Sequence, residues 1–505
     1  MKAFQEIKRI KVASSLLAAS LLVLSGCGSF VSHSESAANT PLTQTPPAPI
    51  VVDGVRASYA DVVDKTSPAV VRIDAERKAK NQPQQFDFGD SPLKDLIPPQ
   101  FRQQQQQQRP LIERGLGSGV MVSADGTVLT NHHVIDGADK ITVTMDNNKV
   151  YDAKVIGSDA PSDLAVLKIE AENLPFLSLG NSDNVRTGDI VLAIGNPLGI
   201  GKTVTAGIIS AKGRRTGLSD GSFEDFLQTD APINRGNSGG ALVNLTGELI
   251  GVNSQIISGS QDGGNIGIGF SIPSNMAKSV MEQLLKDGKV HRGMLGVNIQ
   301  NVTEAVAKSL DLKEAKGVLV SNVTAGSAAE KAGIKRGDII TAINGETIED
   351  SNILRNKVAG TLPGTDIKVT VSRDGKQQDF TAKLDEFKVP GAKTENSGSE
   401  DEENPEPQKE SGKLGLNLEP VSPQIARQLQ LPPDSEGMVV LDVDPSGASA
   451  EEGIQRGDVI MEINKQPVKT LDDVQTALNK SGSRPILLLV WRRGTTVYLT
   501  VTPKQ

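Results

Sequence analysis

A serine among glycines, two adjacent histidines and an aspartate heading an apolar run are the groups in this chain that could do nucleophilic chemistry. Ser238 lies in Asn234-Arg235-Gly236-Asn237-Ser238-Gly239-Gly240, just before the strand-like run Ala241-Leu242-Val243. Glycines reach backbone angles that a side chain forbids. Such a turn can hold the Ser238 Oγ outward and aim backbone N–H groups at a developing oxyanion. The same stretch is equally a glycine-rich hairpin turn. It becomes informative only if a base and an orienting acid exist elsewhere in the chain.

Both have candidates. The four histidines are His33, His132, His133 and His291, and the adjacent pair follows the strand pattern Thr127-Val128-Leu129-Thr130-Asn131. Neighbouring side chains on an extended chain point to opposite faces, so at most one of the pair addresses the serine. Asp163 opens the apolar run Leu164-Ala165-Val166-Leu167, where a carboxylate can hold an imidazole in one tautomer. The chain order is His, Asp, Ser, which is the chymotrypsin order and neither the α/β-hydrolase nor the subtilisin one. In this scheme Ser238 attacks a carbonyl, the imidazole takes and returns the proton, and Asp163 orients the ring. Amides of the Gly236-Asn237-Ser238 turn are the candidates for the oxyanion hole.

The elements that must position these groups are short strands. They are expected at 70–73, 119–122, 127–130, 141–145, 164–169, 190–194, 203–210, 248–253 and 266–272, with Asp125-Gly126, Asn147-Asn148 and Thr246-Gly247 among the turns between them. This spacing points to antiparallel barrels or a sandwich. One helix closes the region, with Ser274 as N-cap, a stripe of Met276, Val280, Met281, Leu284 and Leu285, and Gly288 as stop. The fold class is mainly β.

The flanking sequence is of other kinds. Basic residues 2–11, the apolar run 12–24 and Leu24-Ser25-Gly26-Cys27 read as an export signal over residues 1–27. The sole cysteine, Cys27, stands where a bacterial lipobox is lipidated, so the expected place is the cell envelope, tethered through a lipid. Residues 28–57 read as a flexible tether. Residues 77–113, with six consecutive glutamines at 103–108, read as a long loop that buries no core. A formal charge of −8 with no basic stripe argues against nucleic acid as a partner. No cofactor and no metal are expected.

The C-terminal part repeats itself at an offset of 120: Gly317-Val318-Leu319-Val320 returns as Gly437-Met438-Val439-Val440, and Arg336-Gly337-Asp338 returns as Arg456-Gly457-Asp458. Two modules of about 90 residues follow from this, joined by an acidic, extended linker. The paired Arg-Gly-Asp triplets read as a structural turn entering a strand rather than an adhesion motif.

Thr130-Asn131-His132-His133-Val134, Ser162-Asp163-Leu164-Ala165 and Gln228-Thr229-Asp230-Ala231-Pro232-Ile233-Asn234-Arg235-Gly236-Asn237-Ser238-Gly239-Gly240 together resemble the three signatures of the HtrA (Do-like, DegP/DegQ) envelope serine endoproteases. The resemblance selects His133 as the base. It implies a chymotrypsin-like double β-barrel over 58–288, a PDZ domain over 289–388, the linker over 389–411 and a second PDZ domain over 412–505. It further implies ATP-independent cleavage of unfolded proteins after small aliphatic residues and homotrimers or larger oligomers. Pro232 replaces the aspartate that holds Lys or Arg in trypsin-like enzymes, so the pocket is expected to be apolar, near Ile233 and the loop 263–268. Arg214, with Arg215 beside it, stands where the family has a sensor-loop arginine. Leu295-Gly296-Val297 and Leu414-Gly415-Leu416 match PDZ loops that receive a peptide's C-terminal carboxylate, with Arg292 and Lys413 near enough to add charge. Peptides with apolar C-termini are the expected ligands. The rival readings are a holdase, in which binding outweighs cleavage, and a scaffold with a vestigial protease.

Overall fold

The computed structural model describes residues 51–52, 55–78, 112–196, 201–217, 223–234, 236–258, 264–387, 414–432, 435–482 and 484–503. Cys27, the export signal, most of the tether, nearly all of the 77–113 loop, the acidic linker, His33, Arg235 and Lys413 lie outside them.

After a short helix α1 (Ala60–Thr66), strands β1 (Val70–Lys78), β2 (Ile112–Met121), β3 (Thr127–Thr130), β4 (Lys140–Thr144), β5 (Val150–Asp159) and β6 (Leu164–Ile169) close a barrel in the order β1-β2-β3-β6-β5-β4. A second closed barrel is formed by β7 (Ile190–Gly195), β8 (Thr203–Arg214), β9 (Phe226–Thr229), β10 (Ala241–Asn244), β11 (Leu249–Ser258) and β12 (Asn265–Pro273), in the order β8-β9-β12-β11-β10-β7. Closure leaves no free sheet edge in either barrel. Inward residues of each strand are apolar and buried: Val71, Ile73, Val143 and Leu167 in the first, Val191, Ile209, Leu227 and Leu242 in the second. Leu129, Leu164 and Val166 join Phe270, Ile272 and Val280 in one cluster, which packs both barrels and the closing helix together.

Strands β5 and β9 have no counterpart among the expected strands. On β5 only Gly157 and Asp159 are buried, so no apolar run announces it. β9 is the four-residue strand Phe226-Leu227-Gln228-Thr229. Histidines 132 and 133 do not end a strand. They open a one-turn helix α2 (His132–Ile135), so the two side chains diverge by a helical rather than an extended step.

The closing helix α3 spans Ser274–Asp287 and stops at Gly288, whose φ of 68° is left-handed and whose amide donates to Leu284. Ser274 is the first helical residue and not the cap; its hydroxyl donates to the Gly180 carbonyl at 2.7 Å. Leu285 of the expected stripe is exposed, while Ala277, Val280 and Leu284 are buried.

The first repeat orders its main strands as β13 (Val297–Asn301), β14 (Val318–Val323), β15 (Ile339–Ile343), β16 (Asp366–Arg373) and β17 (Lys376–Lys383), with helix α4 (Ser351–Ala359) between β15 and β16 in sequence. The second repeat has β18 (Leu416–Pro420), β19 (Met438–Val443), β20 (Val459–Ile463), β21 (Ile486–Arg492), β22 (Thr495–Val501) and helix α5 (Leu471–Ser481) in the same arrangement. In both, the aspartate of the Arg-Gly-Asp triplet is buried. Asp338 accepts two hydrogen bonds from Arg373 and one from the Lys335 amide. Asp458 does the same with Arg492 and Gln455. This inward, paired placement supports a structural turn and leaves no aspartate for an adhesion receptor.

Candidate active site

The two barrels meet at the turn around Ser238. Ser118 on β2 donates its hydroxyl to the Gly236 carbonyl at 2.6 Å and its amide to the Ser238 carbonyl at 2.8 Å. A Cβ on Gly239 would lie 2.1 Å from the Ser118 carbonyl oxygen, and its φ is +82°. Only glycine fits there. The first barrel thus fixes the turn that the second barrel carries, through a serine that no sequence motif marks.

Asp163 has a left-handed φ of 53° and follows the 3₁₀ turn Ala160–Ser162. Aspartate tolerates that conformation better than most residues. Its carbonyl accepts from the His132 amide at 3.2 Å and from Asn131 Nδ2 at 2.9 Å. Its carboxylate lies 2.9 Å from His133 Nδ1 through either oxygen and accepts the His133 amide at 3.0 Å. A further donor, the Ser254 hydroxyl, reaches Asp163 Oδ2 at 2.7 Å. With Nδ1 facing a carboxylate, the ring carries its proton on that side and leaves Nε2 as the basic nitrogen. Asn131 stands in a quoted signature with no role assigned to it, and Ser254 carries no sequence signal. Ser254 sits on β11 with no spacing rule of its own.

Ser238 Oγ donates to the Ser254 carbonyl at 2.9 Å; it makes no hydrogen bond with His133 in this conformation. Ser254 therefore touches both the acid and the nucleophile. The Asn237 amide, a sequence candidate for the oxyanion hole, is occupied: it donates to the Asn234 carbonyl at 3.0 Å and closes the turn. The amides of Gly236 and Ser238 donate to no acceptor among the described residues, which leaves them as the donors available to an oxyanion. Ile233 is 1% exposed and sits in the core of the second barrel. Asn265 Nδ2 holds its carbonyl at 2.8 Å, so Ile233 and the start of β12 are brought together.

A hollow of about 410 Å³ flanks the His–Asp pair, lined in part by His133, Asp163, Phe223, Asp225 and Met276. Burial pushes the Asp225 carboxyl up to about 6, aided by the nearby Asp183 and Asp350 charges and opposed by Lys212. Asp350 belongs to the first repeat, where it caps α4 by accepting from the Asn352 and Ile353 amides.

Arg292 does not stand free to meet a peptide carboxylate. It is buried, and its two terminal nitrogens bond both oxygens of Asp159. Asp159 also accepts from the Ser162 amide and hydroxyl. One buried ion pair thus joins the start of the first repeat to the turn that carries Asp163. The Arg292 guanidinium lies 4.7 Å from the centre of the Phe223 ring, which meets Phe387 edge-on at 5.5 Å. Arg214 bonds Gln228 within its own barrel at 3.2 Å, whereas Arg355 of α4 has its charge disfavoured by burial first and by the nearby Arg215 second.

Leu295, Gly296 and Val297 line a groove of about 480 Å³ between β13 and α4, whose other walls include Leu354, Arg355 and Val358. Gly296 and Gly415 both adopt left-handed φ, 79° and 68°. Leu414, Gly415 and Leu416 are all buried in the second repeat.

Comparison with known proteins agrees with this architecture. Residues 117–252 match a trypsin-like peptidase domain, and residues 293–384 and 439–492 each match a PDZ domain. A probable periplasmic serine endoprotease DegP-like of Brucella suis is 42% identical over 464 residues, covering 86% of this chain and 87% of the relative. The protein so named in Chlamydia trachomatis is 40% identical, with 86% of each covered. A probable periplasmic serine protease do/HhoA-like of Haemophilus influenzae is 40% identical, covering 88% and 91%. Among solved structures, the HtrA-type protease AlgW with a tripeptide superimposes with a TM-score of 0.54 at 41% identity, covering 66% of this chain and 98% of that one.

Proposed function

The chain belongs to the DegP-like (HtrA-type) serine endoproteases, and from that membership we infer that it is an ATP-independent endoprotease of the bacterial periplasm that cleaves unfolded or misfolded proteins. Ser238 is the nucleophile, His133 the base, Asp163 its orienting acid, and the Gly236 and Ser238 amides form the oxyanion hole. The observation that carries this reading is the His133–Asp163 pair buttressed by Ser254, set against a serine turn with two undirected amides. PDZ1 (289–388) captures peptides with apolar C-termini in the groove beside Leu295-Gly296-Val297, and PDZ2 (412–505) is its repeat. The protease domain spans 58–288. Cys27 carries a lipid that tethers the mature protein to a membrane, and the chain works as a homotrimer or larger assembly.

Ser238 turned toward Ser254 favours a resting enzyme that awaits a PDZ ligand. In the active form the hydroxyl rotates to His133 Nε2, which takes its proton as the Ser238 Oγ–carbonyl carbon bond forms. The proton then passes to the leaving amine, and water hydrolyses the acyl-enzyme by the same groups.

The test is hydrolysis of denatured casein by the mature chain and by Ser238→Ala, with and without peptides of apolar C-terminus, and mass spectrometry of the fragments. Cleavage by the wild type alone, after Val, Ala or similar residues, supports both the nucleophile and an apolar pocket. Equal protection of unfolded clients by both proteins would show that holding matters beside cutting. Cleavage by Ser238→Ala at the wild-type rate would sink the assignment.

A further inference from the structure

Strand β13 of PDZ1 is the edge of its sheet. β14 lies on one side and the groove against α4 on the other. Its ladder with β14 is interrupted: Asn298 pairs with Asn322, but Ile299 pairs with Val320, leaving Ser321 as an extra residue. A bulge disrupts pairing locally and bends the strand. The extra residue is on β14, so the ladder that holds the edge strand β13 is broken beside Asn298 and Ile299.

What completes it comes from PDZ2. The Gln300 side chain donates to the Tyr498 carbonyl at 2.9 Å and accepts from the Tyr498 amide at 2.8 Å, so a side-chain amide stands in for a paired backbone. Asn298 Nδ2 reaches Thr495 Oγ1 at 3.0 Å. Thr496 Oγ1 donates to the carbonyl of the bulged Ser321 at 2.9 Å, while Ser321 Oγ donates to the Asn298 carbonyl at 3.2 Å. Beside these contacts Tyr498, Leu487 and Leu489 of PDZ2 share one apolar cluster with Val302, Leu319 and Ile339 of PDZ1. Alternation along β13 sends Val297 and Ile299 to the PDZ1 core and Asn298 and Gln300 to PDZ2.

The same interface holds a left-handed lysine. Lys465 has a φ of 63°, in a turn where PDZ1 has Gly345 at 83°. That conformation is uncommon outside glycine. Here the lysine Nζ donates to the Gly337 carbonyl of PDZ1 at 3.1 Å, next to the Arg336–Glu462 ion pair.

We propose that PDZ2 is the buttress of PDZ1's peptide-receiving strand, so that PDZ1 reaches its full affinity only with β22 docked on β13. The proposal rests on the peptide-capture reading of PDZ1 given above. Linkage makes the effect mutual: peptide bound in PDZ1 tightens the docking of PDZ2 by the same factor.

The experiment uses the full chain with Ser238→Ala, which leaves the probe uncut, alone and with Gln300→Leu or Thr496→Val added. Both substitutions nearly conserve volume, and two sites guard against one misfolded variant. The probe is a set of fluorescein-labelled decapeptides ending in Val, Leu or Phe with a free carboxylate, read by anisotropy. Amide hydrogen exchange over residues 297–301 is measured alongside. Each variant is expected to bind at least about fivefold more weakly, with faster exchange in β13 and unchanged protection in β16. Dissociation constants within about twofold of the parent in both variants overturn the buttress. A parent chain that binds none of the peptides overturns the peptide-capture reading itself, and the coupling with it.

Discussion

In PDZ1 an aspartate is buried beneath a forked arginine, Asp338 under Arg373, and PDZ2 repeats the device with Asp458 under Arg492. The internal parts of the two modules match in this way down to single hydrogen bonds. Their surroundings differ. PDZ1 is held from the protease side by Arg292 and from the other side by β22. PDZ2 touches PDZ1, and its own edge strand β18 has no such support among the described residues: the counterpart of Gln300 is the exposed Glu419, and that of the bulged Ser321 is Leu441, 38% exposed. The bulge itself is kept, between Asn417 and Leu418. A duplicated module therefore need not be a duplicated function. The fold is preserved by buried residues, while what lies against the edge strand differs between the modules.

The largest effects should be equal in the two modules. Asp338→Ala and Asp458→Ala each leave a partly buried arginine without its partner, a loss of about 3–5 kcal/mol for a buried pair. Denaturant unfolding that gave a large loss for one and none for the other would end the claim that the cores are equivalent. Arg292→Leu has no counterpart in PDZ2. It leaves Asp159 unpaired beside the Asp163 turn, and a small misplacement there should lower turnover on casein by about ten- to a hundredfold. An unchanged kcat would mean that the buried pair serves only to join domains. Helix caps come next. Asp350→Ala removes the cap of α4 and Thr470→Ala that of α5, where a capping box is formed with Asp473. Each should cost about 1 kcal/mol, but only Asp350→Ala should also weaken peptide binding to PDZ1.

The last of these effects is a pH dependence. Asp225 has a folded pKa raised to about 6 by burial and by Asp183 and Asp350, against about 3.9 in the unfolded chain. The folded state then holds the extra proton between these values, so stability falls as pH rises from 4 to 6. Asp225→Asn should be more stable than wild type at pH 7 and no more stable below about pH 4. Thermal melting across that range checks it, and a gap that does not change with pH would remove Asp225 from the account.

The sequence made the strands with apolar runs legible, and with them the barrel architecture, because a buried strand announces itself in its own residues. It also brought out Asp163 and Ser238 through local motifs, and the repeat through self-similarity. β5 was hidden because little of it is buried. The helical step at His132 and His133 leaves no trace in the sequence, because a single turn is shorter than any periodicity. Arg292 was read as a free charge because its partner lies 133 residues away. Ser118 and Ser254 were invisible for the same reason. Each acts by touching something distant in sequence, and serine is too common to attract notice.

The contact between Gln300 and Tyr498 spans 198 residues. A chain that emerges from its N-terminus makes both barrels and the closing helix before β22 exists. For that interval the catalytic groups can assemble while β13 of PDZ1 still lacks its contacts from β22. Order of emergence thereby separates the arrival of the cutting machinery from the completion of the PDZ1–PDZ2 contact.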